Sequence, residues 1–263
     1  MHAPRLTAEV LLAHAIGCRR EWLFAHATDE LKELWWIHYG RYLHQRMGGT
    51  PTQYITGKQE FHGRDFRVTP DVLIPRPETE HLVEAALARR KPGGRVADVG
   101  TGSGAIAITI SLEASGIPVI ATDLSQAALE VARGNAATLE ATGVTFLQAD
   151  LLEPFAARSL DLIVSNPPYI PLTESDGLQR EVRDFEPHLA LFGGEDGMVN
   201  YRRLVASAER VLQPGGWLLM ELAYNASDKV TRLFGSLWTE VTLIDDLAGY
   251  PRVIAGRLQP ETT

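Results

Sequence analysis

The sequence predicts an α/β protein, an open and mostly parallel sheet flanked by helices, with a small helical domain ahead of it. Three observations carry that expectation. From Arg95 onward, apolar runs of strand length alternate with helix-length segments, the pattern of repeated βαβ units. The run Leu160-Asp161-Leu162-Ile163-Val164 is almost continuously apolar and stops at Ser165-Asn166-Pro167-Pro168-Tyr169-Ile170, as a strand buried on both faces would. Near the end, strand-like runs over 240–244 and 252–255 are joined by a short Asp/Gly-rich turn. Such runs pair antiparallel and predict a reversed edge on the sheet.

The chain as a whole narrows the classes. Its 263 residues suit one large or two unequal domains, and a hydrophobic fraction of 45% supplies an ordinary core. No apolar run approaches the roughly 20 residues that span a bilayer. Met1-His2-Ala3-Pro4-Arg5 has no apolar secretory core, so a cytoplasmic chain without membrane attachment is expected. A single cysteine, Cys18, excludes an internal disulfide and a cysteine-rich zinc site. The eight histidines show no metal-ligand spacing, and no metal is expected. A net charge of −8 argues against a protein that lives on nucleic-acid phosphates, while leaving room for a local basic patch.

Residues 1–49 read as helical, with Leu6, Val10, Leu11, Trp22-Leu23-Phe24, Leu31, Leu34, Trp35, Ile37 and Tyr42-Leu43 at helix-like spacing. Their aromatic rings are expected in a core rather than as a platform for bases. Gly48-Gly49-Thr50-Pro51 breaks the pattern and sets the domain boundary, so 50–263 form the second domain. A hairpin is expected over about 53–70, from Gln53-Tyr54-Ile55 through Glu60-Phe61 and His62-Gly63 to Phe66-Arg67-Val68. Next, Val72-Leu73-Ile74-Pro75-Arg76-Pro77-Glu78-Thr79-Glu80 forms a proline-stiffened elbow into a helix reaching about Arg90. Glu78 and Glu80 suit the positive end of that helix, and the elbow equally suits a cover over a ligand or a substrate mouth.

The first strand of the repeat, Arg95 to Val99, runs into Gly100-Thr101-Gly102-Ser103-Gly104, which opens a helix. The glycines permit a tight turn and close approach of a ligand to the backbone. Their spacing is neither the dinucleotide G-x-G-x-x-G nor a P-loop, and alone the turn is weak evidence. The second strand, 118–122, ends in Asp123, roughly 20 residues past the turn, where a carboxylate can accept the hydroxyls of a ribose. Ser125 caps a helix to about Thr138. The third strand, Val144 to Gln148, exits through Asp150 and Leu151, an acceptor for an adenine amine beside a side chain that packs on its ring. Singly, each aspartate reads as a solvated loop residue; in register with the glycine turn they describe a nucleoside site.

Pro167-Pro168 cannot continue a sheet, because neither has an N–H to give. By itself the pair closes a strand. With Asn166 before it and Tyr169 after it, at the strand end where ligands sit, it offers an amide side chain, unpaired carbonyls and an aromatic face. That is a clamp for a planar, polar NH₂ group. The segment 172–198 has little periodicity, and long loops of this kind are usually functional or mobile. A helix over 199–211, a turn at Gln213-Pro214-Gly215-Gly216, a strand over 217–221 and a helix over 227–237 complete the expectation.

Gln53-Tyr54-Ile55-Thr56-Gly57, Glu60-Phe61-His62-Gly63, the residues from Leu73 to Glu80, from Asp98 to Ala107 and from Asn166 to Ile170, and Phe185-Glu186-Pro187 stand in the order found in one family. From about Thr50 to Arg257 the chain closely resembles the glutamine-N5 methyltransferases that modify peptide chain release factors (the PrmC/HemK family). The Asn-Pro-Pro-Tyr loop is shared with adenine-N6 methyltransferases; the elbow and Phe-Glu-Pro single out this family. Two departures are a shorter N-terminal part and Leu151, where some relatives carry an aromatic.

The resemblance implies a seven-stranded, Rossmann-like class I methyltransferase sheet with a reversed last strand, and S-adenosyl-L-methionine as cofactor. It implies that Gly100, Thr101, Gly102, Ser103 and Gly104 line the methionine and ribose, and that Asp123 binds the ribose. Asp150 and Leu151 would border the adenine, with Asn166, Pro167, Pro168 and Tyr169 holding the substrate glutamine. The partner it implies is a class I release factor, modified in its Gly-Gly-Gln loop and gripped by the N-terminal helices, by a monomer without direct nucleic-acid contact. An adenine-N6 methyltransferase would want a basic groove and a target-recognition region. A glutamine methyltransferase of another translation protein and a non-catalytic cofactor-binding module complete the alternatives; intact glycines beside an intact Asn-Pro-Pro-Tyr loop disfavour the last.

Overall fold

The computed structural model describes residues 3–114 and 116–260, so the extreme ends of both expected domains lie outside the described residues. Helices α1 (Pro4–Ile16), α2 (Arg20–Ala25) and α3 (Glu33–Met47) build the N-terminal part. α1 and α3 pack together, and α1 buries Leu11 and Ala13. A short helix α4 (Thr52–Thr56) follows, where the sequence suggested the approach to a hairpin. The hairpin itself is tighter: β1 (Lys58–Phe61) and β2 (Arg64–Arg67) flank a two-residue turn in which His62 and Gly63 both have positive φ. Paired positive φ is the turn whose twist matches two antiparallel strands. Phe61 and Phe66 meet edge to face, with ring centroids 6.0 Å apart, and are fully buried.

The elbow enters a 3₁₀ turn (Pro77–Thr79) and then α5 (Glu80–Arg89). Strands and helices then alternate as expected: β3 (Val96–Val99), α6 (Ala105–Glu113), β4 (Val119–Asp123), α7 (Gln126–Thr138), β5 (Val144–Gln148) and β6 (Leu160–Ser165). Ser125 caps α7, its Oγ accepting the Ala128 N–H at 3.2 Å. The 172–198 segment is not a bare loop. It holds a 3₁₀ stretch (Leu172–Gly177) and two single-turn helices, α8 (Arg180–Arg183) and α9 (His188–Leu191). After it come α10 (Val199–Val211), β7 (Leu212–Glu221), α11 (Ser227–Thr231), β8 (Trp238–Asp245) and β9 (Pro251–Leu258).

Two expectations need correcting. The expected turn at 213–216 lies within the run of β7, whose register against β6 shifts between Leu160 and Leu162. The helix expected to reach residue 237 ends at Thr231, because Phe234 turns inward to stack edge to face on Trp238, which already belongs to β8.

The seven strands run in the order β5-β4-β3-β6-β7-β9-β8. The first five are parallel; β9 is antiparallel to both its neighbours. The reversed strand is thus the last in sequence but sits one place in from the edge, with β8 outside it. Alternation along the strands fills a core on each face. Leu162, Val164, Val253 and Ala255 pack with α5 and α6, while Ile163, Ile254 and Met220 pack with α10. Among the described residues, no helix is long and apolar enough to cross a membrane.

Candidate active site

Parallel strands bring their carboxyl ends to one edge, and ligands of such sheets sit there. Here that edge holds a cavity of about 400 Å³ lined by residues from four neighbouring strand ends. Gly100 and Gly102 follow β3, Asp123 ends β4, Asp150 and Leu151 follow β5, and Asn166 and Pro168 follow β6. Val72 and Leu73 of the elbow, Leu189 and Phe192 of the 172–198 segment, and Asn200 and Arg203 of α10 close the remaining sides.

The glycine turn is tied to β4, since the N–H groups of Gly100 and Thr101 both donate to the Thr122 carbonyl at 2.9 Å. Gly100, Gly102 and Gly104 all have positive φ. At Gly104 a Cβ would also press on Ile108 and on Ala132 of α7, so that glycine serves helix packing. Asp123 spans the turn from the opposite side: one oxygen accepts the Gly102 N–H at 2.8 Å, the other the Ser125 N–H at 2.9 Å. Burial pushes its carboxyl up, and these backbone donors oppose the shift.

Thr101, Ser103, Gly104, Pro167 and Tyr169, expected at the site, do not line the cavity. Thr101 and Ser103 are buried beneath it. The Thr101 hydroxyl donates to Asp98 at 2.6 Å, and the Ser103 carbonyl accepts the Asn135 amide at 2.8 Å. Asn135 also holds Arg67 of the hairpin through both its N–H and its carbonyl, at 2.8 and 3.0 Å. Hairpin, α7 and glycine turn are therefore one hydrogen-bonded unit.

Asp98 is a residue that sequence reasoning gave no role. It is fully buried, and desolvation pushes its carboxyl up to about 7 against the hydrogen bonds from Thr101 and the Ala107 N–H. Its Oδ2 accepts both of those donors, while Oδ1 has no partner among the described residues. A buried acceptor without a donor is uncommon and calls for a reason. The signal in the sequence was an acidic residue within an otherwise apolar strand, just before the glycines.

At the end of β6, the Ser165 hydroxyl donates to the Val99 carbonyl at 2.7 Å, locking β6 to β3 where the loop departs. Asn166 turns its Nδ2 to the Thr79 hydroxyl at 3.3 Å. That hydroxyl donates to Glu221 Oε2 at 2.6 Å, and the Tyr169 hydroxyl lies 3.3 Å from Glu221 Oε1. The Tyr169 ring packs against the core under α10. The Pro168 carbonyl accepts the Asn200 amide at 2.9 Å. Gly197 passes so close to the Tyr169 carbonyl that any Cβ would collide with it, which fixes the 172–198 segment against the loop.

The elbow and Phe185-Glu186-Pro187 meet directly. Glu186, buried by the segment, pairs with Arg76 and accepts the Ile74 N–H at 3.4 Å. Arg46 of α3 reaches Glu181 at 2.6 Å, so the N-terminal helices hold the same segment.

Two family models match the chain. Residues 1–57 match the PrmC N-terminal domain, past the Gly48-Gly49 break, and residues 78–181 match the methyltransferase small domain. The release factor glutamine methyltransferase of Koribacter versatilis is 49% identical over 258 residues, 97% of this chain and 91% of that one. The enzyme of the same name from Moorella thermoacetica is 45% identical over 255 residues, covering 95% of this chain and 89% of its own length. Among solved structures, a methyltransferase from Pyrococcus furiosus aligns with a TM-score of 0.58 at 18% identity, over 76% of this chain and 91% of that one. The ribosomal protein L11 methylase of Lactobacillus delbrueckii subsp. bulgaricus gives 0.53 at 21% identity, over 76% and 90%. These two likenesses are of fold.

Proposed function

The chain belongs to the release factor glutamine methyltransferase family, and on that premise we propose that it transfers a methyl group from S-adenosyl-L-methionine to the side-chain amide nitrogen (N5) of the glutamine in the Gly-Gly-Gln loop of class I release factors. The observation that carries the reading is one cavity shared by an acidic strand end, Asp123, and by Asn166. The site fits the cofactor. The cavity walls carry Asp123 and Asp150, the latter paired with Arg203, and the cofactor brings an ammonium and a sulfonium. Gly100 and Gly102 would pass its methionine and ribose, Asp123 the ribose hydroxyls, and Asp150 and Leu151 the adenine.

When bound, the cofactor supplies an activated methyl on sulfur. The difficulty is the acceptor: an amide nitrogen has a delocalised lone pair, as its rotation barrier of about 18–20 kcal/mol shows. Positioning and polarisation are what the protein can contribute. Asn166 Oδ1, at the cavity wall, and the Pro167 carbonyl beside it would each accept one N–H of the glutamine amide, orienting its nitrogen and favouring positive charge as it develops there. Pro167 and Pro168 stiffen the loop, and Asn200 holds the Pro168 carbonyl. Once alkylated, the nitrogen is acidic and gives its proton to solvent.

Exposed Phe24 on α2, and Leu34, Trp36 and Ile37 on α3, support the N-terminal helices as the part that grips the release factor. The net charge of −8 supports a protein partner without direct nucleic-acid contact, and we take the enzyme to act as a cytoplasmic monomer. The test is to incubate the enzyme with cofactor and intact release factor, then map methyl groups by peptide mass spectrometry. One methyl on the loop glutamine, absent from a Gln→Glu partner, is expected. Methyl on adenine in DNA, with none on the factor, overturns the reading.

A further inference from the structure

The Asn166 carboxamide has a donor end and an acceptor end, and only one of them can serve an incoming amide nitrogen. We propose that Thr79 and Glu221 are positioning residues that decide which end faces the acceptor, through a one-way chain of hydrogen bonds from Asn166 to Thr79 to Glu221. This rests on the reading of Asn166 as the clamp for the substrate amide.

The direction of the chain follows from donor counting. An ionised carboxylate only accepts, so both hydroxyls that meet Glu221 must donate to it: Thr79 at 2.6 Å and Tyr169 at 3.3 Å. Thr79 has one proton, which is spent on Glu221. Its oxygen then has only lone pairs left for Asn166, 3.3 Å away, and selects the Nδ2 end of the amide. Oδ1 is left for the substrate. Thr79 stands at 4% exposure and Glu221 at 1%, so water cannot easily reverse either bond.

The direction holds for the ionised carboxylate. Burial, the largest influence, and Glu78 push the Glu221 carboxyl up to about 7, while the Thr79 hydroxyl, Arg252 of β9 and the Tyr169 hydroxyl favour the ionised form, which predominates above that pH. Tyr201 of α10 donates to the Glu221 backbone carbonyl at 2.9 Å, anchoring the strand end without competing for the carboxylate. The chain also gives the elbow a task. Thr79 follows the prolines that stiffen it, and α5 begins at the next residue.

The experiment compares wild type with Thr79→Val, Thr79→Ser and Glu221→Gln, each with cofactor present. It reads single-turnover methyl transfer, cofactor affinity, and the side-chain NH₂ signals of Asn166 by ¹⁵N NMR. Thr79→Val keeps the shape but removes both roles of the hydroxyl. It should lower the rate about 10- to 100-fold, the scale of a small misplacement at a reacting centre. Cofactor affinity should stay within about two-fold, since the Thr79 contact is to Asn166. Thr79→Ser should recover most of that rate. In wild type one Asn166 amide proton should exchange slowly, and that protection should vanish in Thr79→Val. In Glu221→Gln it should weaken, because a Gln amide can donate to Thr79 and let the chain run backward. Wild-type rates in Thr79→Val, or Asn166 signals unchanged in Thr79→Val and Glu221→Gln, overturn the proposal. Should Thr79→Val not fold, the Asn166 signals of Glu221→Gln decide. If wild type methylates no release factor, the functional reading fails, while the NMR signals still report on the chain.

Discussion

Arg203 Nη2 stands 2.9 Å from Asp150 Oδ2, so the acidic residue beside the expected adenine position already has a cationic partner from α10. Asp123, by contrast, meets backbone N–H groups and, among the described residues, no cation. The two aspartates should therefore differ in what they contribute to cofactor binding. Losing a charged acceptor of ribose hydroxyls costs about 1.5–3 kcal/mol, so Asp123→Ala should weaken affinity roughly ten-fold or more. The Arg203–Asp150 pair is about two-fifths exposed on both sides, and exposed pairs contribute about 0–1 kcal/mol. Arg203→Ala should shift affinity by no more than about five-fold. Calorimetric titration with S-adenosylmethionine checks both; equal losses would mean that Arg203 itself contacts the cofactor.

Asn166 should matter for turnover more than for binding. Removing one pre-organised hydrogen-bonding group from a transition-state site lowers rates on the order of 10²–10³. Asn166→Ala is expected to bind cofactor normally and lose that much in single turnover. Asn166→Asp keeps an acceptor but loses the donor to Thr79, and places a second carboxylate near buried Glu221. It should fall between Asn166→Ala and wild type. A rate for Asn166→Ala within about two-fold of wild type would sink the clamp.

Asn135 carries no chemistry, yet its buried carboxamide makes three hydrogen bonds, two part-buried to Arg67 and one buried to Ser103, that join the hairpin, α7 and the glycine turn. Asn135→Ala leaves the Arg67 N–H, the Arg67 carbonyl and the Ser103 carbonyl without this partner. Each unsatisfied buried group costs about 1–3 kcal/mol. Urea unfolding should show a loss of about 2–4 kcal/mol, with cofactor affinity reduced as the glycine turn loosens. A loss below about 0.5 kcal/mol would show that water replaces the amide without cost.

Most strand ends that build the site were legible because their signals are local. Apolar runs stop at Asp123, Gln148 and Ser165, and Ser125 carries its cap three residues from the donor it meets. What was not legible is long-range. Thr79 and Glu221 are 142 positions apart, Arg76 and Glu186 110, and nothing near either residue announces its partner. The end of α11 failed for the same reason. Helix-like periodicity continues past Thr231, but Phe234 is drawn against Trp238 and the space over Gly256. Tyr169 is expected as a face for the substrate amide; that its hydroxyl also meets Glu221 is visible only once β7 is in place. At Thr52–Thr56 the error was local. A five-residue helix between a proline and a glycine has too few turns to show a period.

Buried Glu221 should make stability fall as pH rises. Desolvation is the largest influence on it and lifts its carboxyl from an ordinary 4.5 to about 7, although Thr79, Arg252 and Tyr169 oppose the shift. Glu78 adds to it, and Tyr201 touches only the backbone carbonyl. Between those two values the native state holds more protons than the unfolded chain, so unfolding free energy declines with rising pH and levels off above about 7. Below about 4.5 both states are protonated and the full stability is present. A displacement of this size corresponds to roughly 3 kcal/mol at most. Asp98, lifted to about 7 by the same cause, adds a parallel decline. Glu221→Gln removes one share of it. Urea unfolding at pH 4, 6 and 8 should show the variant gaining on wild type with each step upward, while its methyl transfer is slower throughout. A constant offset across the three pH values would mean that Glu221 is not the group that titrates. A variant both less stable at pH 8 and slower would make its role structural, and would separate that from a carboxylate kept ionised at a cost in stability for the sake of the Asn166 amide.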